Sequence, residues 1–237
     1  MRSWALIAAV FAGTTSAEAA RIDSVRQLPS GLELRTADGV LLLEPWSDGI
    51  VHVRFGPPNY SGNYNPSVIA TRGKVHLSVR ETPDAYLLST PRLRLRVDKA
   101  TSSVSFQDMS GATLLEEAER SIGNGTVAAF RTSPTIYGLG EHQNGLLDYR
   151  GTSVHLQQKN GDVAVPFLLS PKGFGILWNN PSIMDVEVGK AGAKYPLVIR
   201  NEAGGGIDYD FILGPEPDQV IAGYRWLTGD APLMPRW

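Results

Sequence analysis

The sequence predicts an all-β domain of antiparallel strands that ends in one short helix. Short runs in which apolar and polar residues alternate recur along the chain, as expected for half-buried strands. The 25 glycines and 16 prolines are spread between these runs in short pairs, which indicates many tight turns. At Pro217 the pattern switches to helical spacing. The alternating pattern and the single helical stretch together predict the fold class.

The opening of the mature chain, up to about residue 55, predicts a meander of strands, and further strands follow. Asp38-Gly39 and Asp48-Gly49 each lie between apolar runs, a pattern typical of hairpins whose two turn residues have positive φ. Within 92–97, three apolar residues alternate with three arginines, which we interpret as the solvated face of a sheet rather than an anion site. A polar loop is expected over 56–72. The predicted strands are 22–28, 32–36, 40–44, 50–55, 74–79, 85–89, 93–97, 103–107, 114–122, 163–169, 173–178, 183–188, 195–200 and 207–213, with another beginning at 152.

The C-terminal stretch predicts a strand, a stop and a helix. Gly214-Pro215 ends the last strand, and Pro217 suits a first helical turn. Asp218 places negative charge at the positive end of the helix dipole. The helix is expected to end at Gly229, and its apolar residues recur at helical spacing. Those residues are Val220, Ile221, Tyr224 and Leu227.

Composition predicts a soluble, exported protein. The formal net charge is −2 and the sequence pI is near 6.1, which gives no bias toward nucleic acid or acidic membrane surfaces. Residues 1–19 combine an early arginine, an apolar run and a small-residue tail, as in a secretory signal peptide cleaved after Ala19. Residues 20–237 would then form one domain in the periplasm or outside the cell. The sequence contains no cysteine, so its stability depends on the core alone.

The segment from Gly205 to Trp237 resembles a junction in glycoside hydrolase family 31, the retaining α-glucosidases and α-xylosidases. The resemblance lies in the runs DYDFI, GPEPDQVI and LTGDAPLMPRW. It implies an antiparallel β-sandwich of galactose mutarotase-like type, which in the family precedes a catalytic (β/α)8 barrel. The barrel supplies the family's catalytic aspartates, and it would begin after Trp237, where this sequence contains none of it. Whether the chain is an enzyme therefore stays uncertain.

Two further runs resemble the same family. The loop from Tyr137 to Gly145, YGLGEHQNG, is similar to a loop at the interface with the barrel near the active-site mouth. Residues 157–160 align with a family Trp-Asn-Arg-Asp run whose carboxylate hydrogen-bonds the substrate, and an asparagine replaces that carboxylate here, as in the α-xylosidase branch. The resemblance implies four substrate-binding residues, namely Glu141, His142, Lys159 and Asn160. The alternative is that Asn160-Gly161 is only a type I′ hairpin turn.

Other chemistries find little support in the sequence. Its histidines show no HxH or HExxH spacing, so no metal or cofactor is predicted, and no GxSxG nucleophile motif occurs. Asp208 and Asp210 leave the same face of a strand about 7 Å apart. A retaining glycosidase needs its two carboxyl groups about 5 to 5.5 Å apart. We therefore expect this pair to be structural.

Two functions stay open at this point. The first is the N-terminal, carbohydrate-binding-type domain of an exported, α-xylosidase-like α-glycosidase, which shapes the active-site rim and is inactive alone. Its expected partners are an oligosaccharide substrate and the missing barrel, which would dock on the segment from Pro232 to Trp237 and on the loop 137–145. The second is a stand-alone carbohydrate-binding or mutarotase-like protein. Neither nucleic acid nor a membrane is an expected partner.

Overall fold

The computed structural model describes residues 20–63 and 65–231, and within them the chain forms two antiparallel β-sheets and one helix. The predicted signal peptide, residues 1–19, and the predicted docking segment, residues 232–237, lie outside these ranges. The elements are β1 Ile22–Leu28, β2 Gly31–Thr36, β3 Gly39–Ser47, β4 Ile50–Gly56, β5 Ser78–Glu81, β6 Ala85–Ser89, β7 Arg94–Asp98, β8 Val104–Gln107, β9 Thr113–Gly123, β10 Gly125–Arg131, β11 Tyr137–Glu141, β12 Thr152–Leu156, β13 Val163–Ser170, β14 Phe174–Trp178, β15 Met184–Val188, β16 Leu197–Asn201, β17 Ile207–Leu213 and α1 Pro217–Thr228.

The order of the strands confirms an antiparallel all-β sandwich. The first sheet has the order β1-β2-β3-β4-β17-β14-β13-β11, and the second has the order β12-β15-β16-β10-β9-β8-β7-β6-β5. In the first sheet, β17 pairs with β4 on one side and with β14 on the other. The last strand along the chain therefore lies in the middle of this sheet and joins its two halves.

Aromatic side chains fill the space between the sheets. Trp178 and Tyr209 stack with ring centroids 5.5 Å apart and planes 2° from parallel. Phe106 and Phe211 stack at 4.1 Å, and Phe130 meets Tyr209 edge-on at 5.8 Å. Aromatic pairs in these geometries contribute beyond the area that they bury. Trp178 is fully buried there.

One ion pair lies inside this core. Arg120 Nη1 is 2.7 Å from Glu117 Oε2, and the two side chains are only 4% and 6% exposed. Tyr209 donates its hydroxyl hydrogen to Glu117 Oε1 at 2.6 Å. Arg120 also donates to the carbonyl and hydroxyl oxygens of Ser102 and lies over the ring of Phe55. Burial, together with the Glu117 charge, raises the pKa of Tyr209 well above its ordinary value.

Helix α1 packs on the outer face of the first sheet. Its capping box joins Glu216 and Gln219, so the first free backbone N–H groups of the helix have partners. Val220 and Leu227 are fully buried against the sheet, while Ile221 is 43% exposed. The helix spans the predicted residues, and its buried stripe is narrower than the set of apolar residues in the sequence pattern.

Several local predictions are corrected by the structure. Gly125–Arg131 forms β10, which the sequence did not predict, and within 74–79 only the last two residues belong to a strand. The predicted Asp-Gly hairpins form, yet neither aspartate has positive φ, so they are not the expected turn type. Within the described part of the chain, no helix is long and apolar enough to cross a membrane.

Candidate functional site

The four predicted substrate-binding residues lie together at one edge of the first sheet. Strand β11 pairs with β13, which places Glu141 opposite Val163. The turn between β12 and β13 closes with a bridge between Lys159 and Asp162, and Asn160 lies within that turn. We call this surface, formed by residues 141–143 and 158–163, the β11–β13 edge.

The backbone of β11 is irregular because of its glycines. Gly138, Leu139 and Gly140 all have positive φ, and the register of the strand shifts between the two glycines. A Cβ atom added at Gly140 would lie 1.8 Å from the Val163 carbonyl oxygen. Glycine at 140 therefore lets the two strands approach closely at the point where the polar residues begin.

Asp162 organises the polar contacts of the β11–β13 edge. Its carboxylate lies 3.1 Å from Lys159 Nζ and accepts a hydrogen bond from the backbone N–H of Gln143. The hydrogen bond from Lys159 is the largest of several effects that lower the pKa of Asp162. His142 Nδ1 is 3.8 Å from the same carboxylate, and His142 Nε2 donates to the Leu139 carbonyl oxygen at 2.9 Å. A carbonyl can only accept, so Nε2 carries the proton.

Sequence reasoning missed Asp162. The run Lys-Asn-Gly-Asp contained the signal, because a two-residue turn sets its first and fourth residues opposite each other across the hairpin. Gln158 also braces this turn, since its amide donates to the Asp162 carbonyl oxygen and accepts from the Ala164 N–H. The turn is thus held by side chains on both strands.

The turn itself differs from the alternative considered from the sequence. Gly161 has φ of 90°, but Asn160 does not have positive φ, so the turn is not type I′. Glu141, Lys159 and Asn160 are all exposed, whereas the His142 side chain is only 6% exposed. The edge therefore presents a carboxylate, an ammonium and an amide to the surroundings.

Asp208 and Asp210 lie away from this edge, on β17. His52 on β4 lies between them, with Nδ1 2.8 Å from Asp210 Oδ1 and Nε2 3.4 Å from Asp208 Oδ1. Asn179 Nδ2 donates to both carboxylates, at 3.1 and 2.8 Å. Both acids are buried and engaged by protein groups, which favours the structural role expected for them.

Burial and neighbouring charges together shift the pKa values of His52 and Asp208. Burial by itself lowers the pKa of His52, but the hydrogen bond to Asp210 and the charges of both aspartates outweigh it, so the pKa is raised. Burial raises the pKa of Asp208. Among the residues that the structure describes, no three His, Asp or Glu side chains are arranged to hold a metal ion.

Comparison with known proteins agrees with this architecture. Residues 41–187 match the family model of the glycosyl hydrolase 31 N-terminal galactose mutarotase-like domain. An α-xylosidase of Saccharolobus solfataricus is 47% identical over 111 residues, which cover 43% of this chain and 15% of that protein. Alpha-glucosidase 2 of Bacillus thermoamyloliquefaciens is 27% identical over 221 residues, covering 84% of this chain and 27% of that protein.

Solved structures show the same fold. The GH31 α-xylosidase of Xanthomonas citri superposes with a TM-score of 0.81 at 18% identity, covering 90% of this chain and 41% of that one. The matched part of the chain corresponds to less than a third of the length of the Saccharolobus and Bacillus relatives. The family model covers more than half of the chain, so the chain belongs to the glycosyl hydrolase 31 N-terminal galactose mutarotase-like domain family.

Proposed function

We propose that this chain serves as the N-terminal domain of an exported, α-xylosidase-like α-glycosidase and forms part of its active-site rim. The observation that carries the proposal is the approach of Lys159 and His142 to the Asp162 carboxylate at the β11–β13 edge, which also carries Glu141 and Asn160. Family membership supports the role of a glycosidase domain. Bond cleavage would belong to the catalytic barrel.

The chemistry of the edge suits contact with sugar hydroxyls. The amide of Asn160 offers both a donor and an acceptor, and a neutral amide binds a hydroxyl more weakly than a carboxylate does. The ion pair with Asp162 restricts the direction of Lys159, so less side-chain entropy is lost when the ammonium meets a ligand. These contacts would position a sugar ring at the rim without reacting with it.

Exposed apolar side chains on the β11–β13 edge and just after the loop 137–145 suit docking of the barrel. Leu147 is 78% exposed, Val163 is 48% exposed and Leu146 is 45% exposed. Exposed large apolar side chains can mark interaction sites. We infer that the barrel covers them. The segment 232–237, outside the described residues, stays a predicted second docking element.

A domain exchange tests this function. The N-terminal domain of the Saccharolobus solfataricus α-xylosidase would be replaced by residues 20–237, and hydrolysis of aryl α-xyloside and aryl α-glucoside would be measured. We expect an active chimera that prefers the xyloside. Lys159→Ala and Asn160→Ala in the chimera should each lower kcat/KM about three- to tenfold, the effect of one lost hydrogen bond.

The matched control is Lys172→Ala, because Lys172 is an exposed lysine just beyond the opposite end of β13. It should leave kcat/KM unchanged. A folded chimera without activity would contradict the role as an N-terminal glycosidase domain. Equal kcat/KM values for Lys159→Ala and Lys172→Ala would contradict the proposed contact of Lys159 with substrate at the active-site rim. Hydrolysis by the isolated chain would overturn the assignment of cleavage to the barrel.

Export is tested separately. Expression of residues 1–237 with a C-terminal tag should give a periplasmic or secreted protein whose N-terminal sequence begins at Ala20. A cytoplasmic product that retains Met1 would contradict export and leave the rim proposal unaffected.

A further inference from the structure

A cavity of about 300 Å³ lies on the outer face of the first sheet. It sits over β3, β4 and β17, beneath the loop that follows β4. Its walls carry the rings of Trp46 and His52 and several planar polar groups. The principal lining residues are Glu44, Trp46, Arg54, Asn63, Asn65 and Asn179. In the strand order, β17 is three strands from β11, so this cavity is separate from the β11–β13 edge.

The outer face of this sheet has two chemically different halves. Under helix α1 the face is apolar, with Ile50 and Ile212 buried in a small hydrophobic cluster. Beside it, His52, Asp208 and Asp210 form the buried charged cluster described above. Buried ion pairs are often no more stabilising than apolar residues of equal volume. The polar half therefore calls for a reason other than stability.

Part of that reason is the attachment of the loop. Asp208 Oδ2 accepts from the Asn63 N–H at 2.8 Å, and Asn65 Nδ2 donates to Asn179 Oδ1 at 2.6 Å. These bonds fix the loop on the sheet. Arg54, which pairs with Glu44, also donates to the Ser61 carbonyl oxygen, and Trp46 packs against the hydrophobic cluster under α1. Glu44 and Trp46 nevertheless stay only half-buried, and both line the cavity.

The cavity has the features of a sugar site. A pyranose ring presents apolar C–H faces and a rim of hydroxyls, so it needs an aromatic surface and hydrogen-bonding groups around it. Trp46 supplies the ring, which packs 5.5 Å from the ring of His52. Glu44 and Arg54 are paired at 2.8 Å, and at 16% and 21% exposure they keep part of their surface open.

Size and charge narrow the ligand further. Small-molecule pockets begin at roughly 300 Å³, so the cavity suits one sugar ring rather than a chain of them. The carboxyl groups of Glu44 and Asp208 line the cavity, and Arg54 is the one arginine or lysine among its described lining residues, which disfavours an anionic sugar.

We propose that this cavity binds a single neutral pyranose ring, stacked on Trp46 and hydrogen-bonded by Glu44, Arg54 and Asn65. A ring with equatorial hydroxyls, such as xylose or glucose, leaves its C–H faces free to stack. The site does not depend on the catalytic barrel. It would hold in the isolated chain even if the rim function failed.

Titration of the purified chain with methyl α-xylopyranoside and methyl α-glucopyranoside, followed by isotope-labelled NMR, tests the site. We expect millimolar binding that shifts the Trp46 indole N–H resonance. Trp46→Ala should weaken binding about tenfold or more. Glu44→Gln, which keeps the side-chain shape, should weaken it about threefold or more.

Trp226→Ala is the matched control, because Trp226 is an exposed tryptophan on helix α1, outside this cavity. Binding should survive that change. Thermal unfolding of each variant checks that it is folded. If Trp46→Ala does not fold, Glu44→Gln and the shift of the Trp46 indole resonance in the unchanged protein still test the site. The proposal is overturned by the absence of binding up to roughly 100 mM glycoside, by unaltered affinity in folded Trp46→Ala and Glu44→Gln, or by a loss confined to Trp226→Ala.

Discussion

Removing one charge from the buried pair of Glu117 and Arg120 should destabilise the sandwich strongly. In Glu117→Gln the shape is kept, but the guanidinium loses its counter-charge in a site where the arginine side chain is 4% exposed. Breaking a buried pair in this way costs about 3 to 5 kcal/mol. For a domain of this size the loss corresponds to a fall in Tm of roughly 6 to 20 °C.

Two further variants separate charge from packing. Tyr209→Phe removes only the 2.6 Å hydrogen bond to Glu117, so it should cost about 1.5 to 3 kcal/mol. The double variant Glu117→Gln/Arg120→Met removes both charges and keeps an unbranched side chain against Phe55. It should be more stable than Glu117→Gln alone, because no unpaired charge stays buried.

Urea unfolding followed by tryptophan fluorescence gives the free energies, and calorimetry gives Tm. Arg120→Met alone is measured as well, and the reasoning is refuted if the double variant is as unstable as the sum of Glu117→Gln and Arg120→Met. That result would assign the loss to packing and to the bonds with Ser102 rather than to an uncompensated charge.

Three other predictions concern the strands, the polar cluster and the helix. Gly140→Ala should disrupt the β11–β13 pairing, which is measured as a loss of hydrogen-exchange protection. Gly145 also has positive φ but has open space around it, so Gly145→Ala should cost only about 1 kcal/mol of unfolding free energy. Equal effects of the two changes would contradict the argument that Gly140 allows the strands to approach closely. The raised pKa of His52 adds stability below pH about 6.5, and this stability is lost as the pH rises through the folded-state pKa. The free energy of unfolding should therefore fall above pH about 6.5, and it should fall less in His52→Asn. Parallel pH profiles of the two proteins would contradict this role of His52. Val220→Ala should cost about 1 to 3 kcal/mol and Ile221→Ala almost nothing, measured by urea unfolding, and the reverse order would show that the helix face is misassigned.

The sequence predicted best where local chemistry decides the structure. Alternation defined β17, and the proline and glycine that flank the helix defined α1. β10 was missed because its alternation is weak, with two adjacent alanines inside the strand. β11 was interpreted as a loop because its glycines suggest turns, yet their positive φ values allow close pairing with β13.

The sites were harder to predict because they depend on pairing between distant strands. His52 and Asp210 are 158 residues apart and meet only because β17 lies beside β4. The resemblance in 137–145 and 157–160 named four residues of the β11–β13 edge, but not Asp162, whose contacts become visible only when the turn closes.

The central position of β17 has a consequence for synthesis on the ribosome. The meander β1–β4 and the group β11, β13 and β14 each end in an unpaired strand until residues 207–213 have emerged from the exit tunnel. Both open edges could meanwhile recruit strands from other nascent chains. Stalling the ribosome while residues 207–213 are still inside the tunnel should therefore raise the yield of aggregates, whereas stalling it after they have emerged should not.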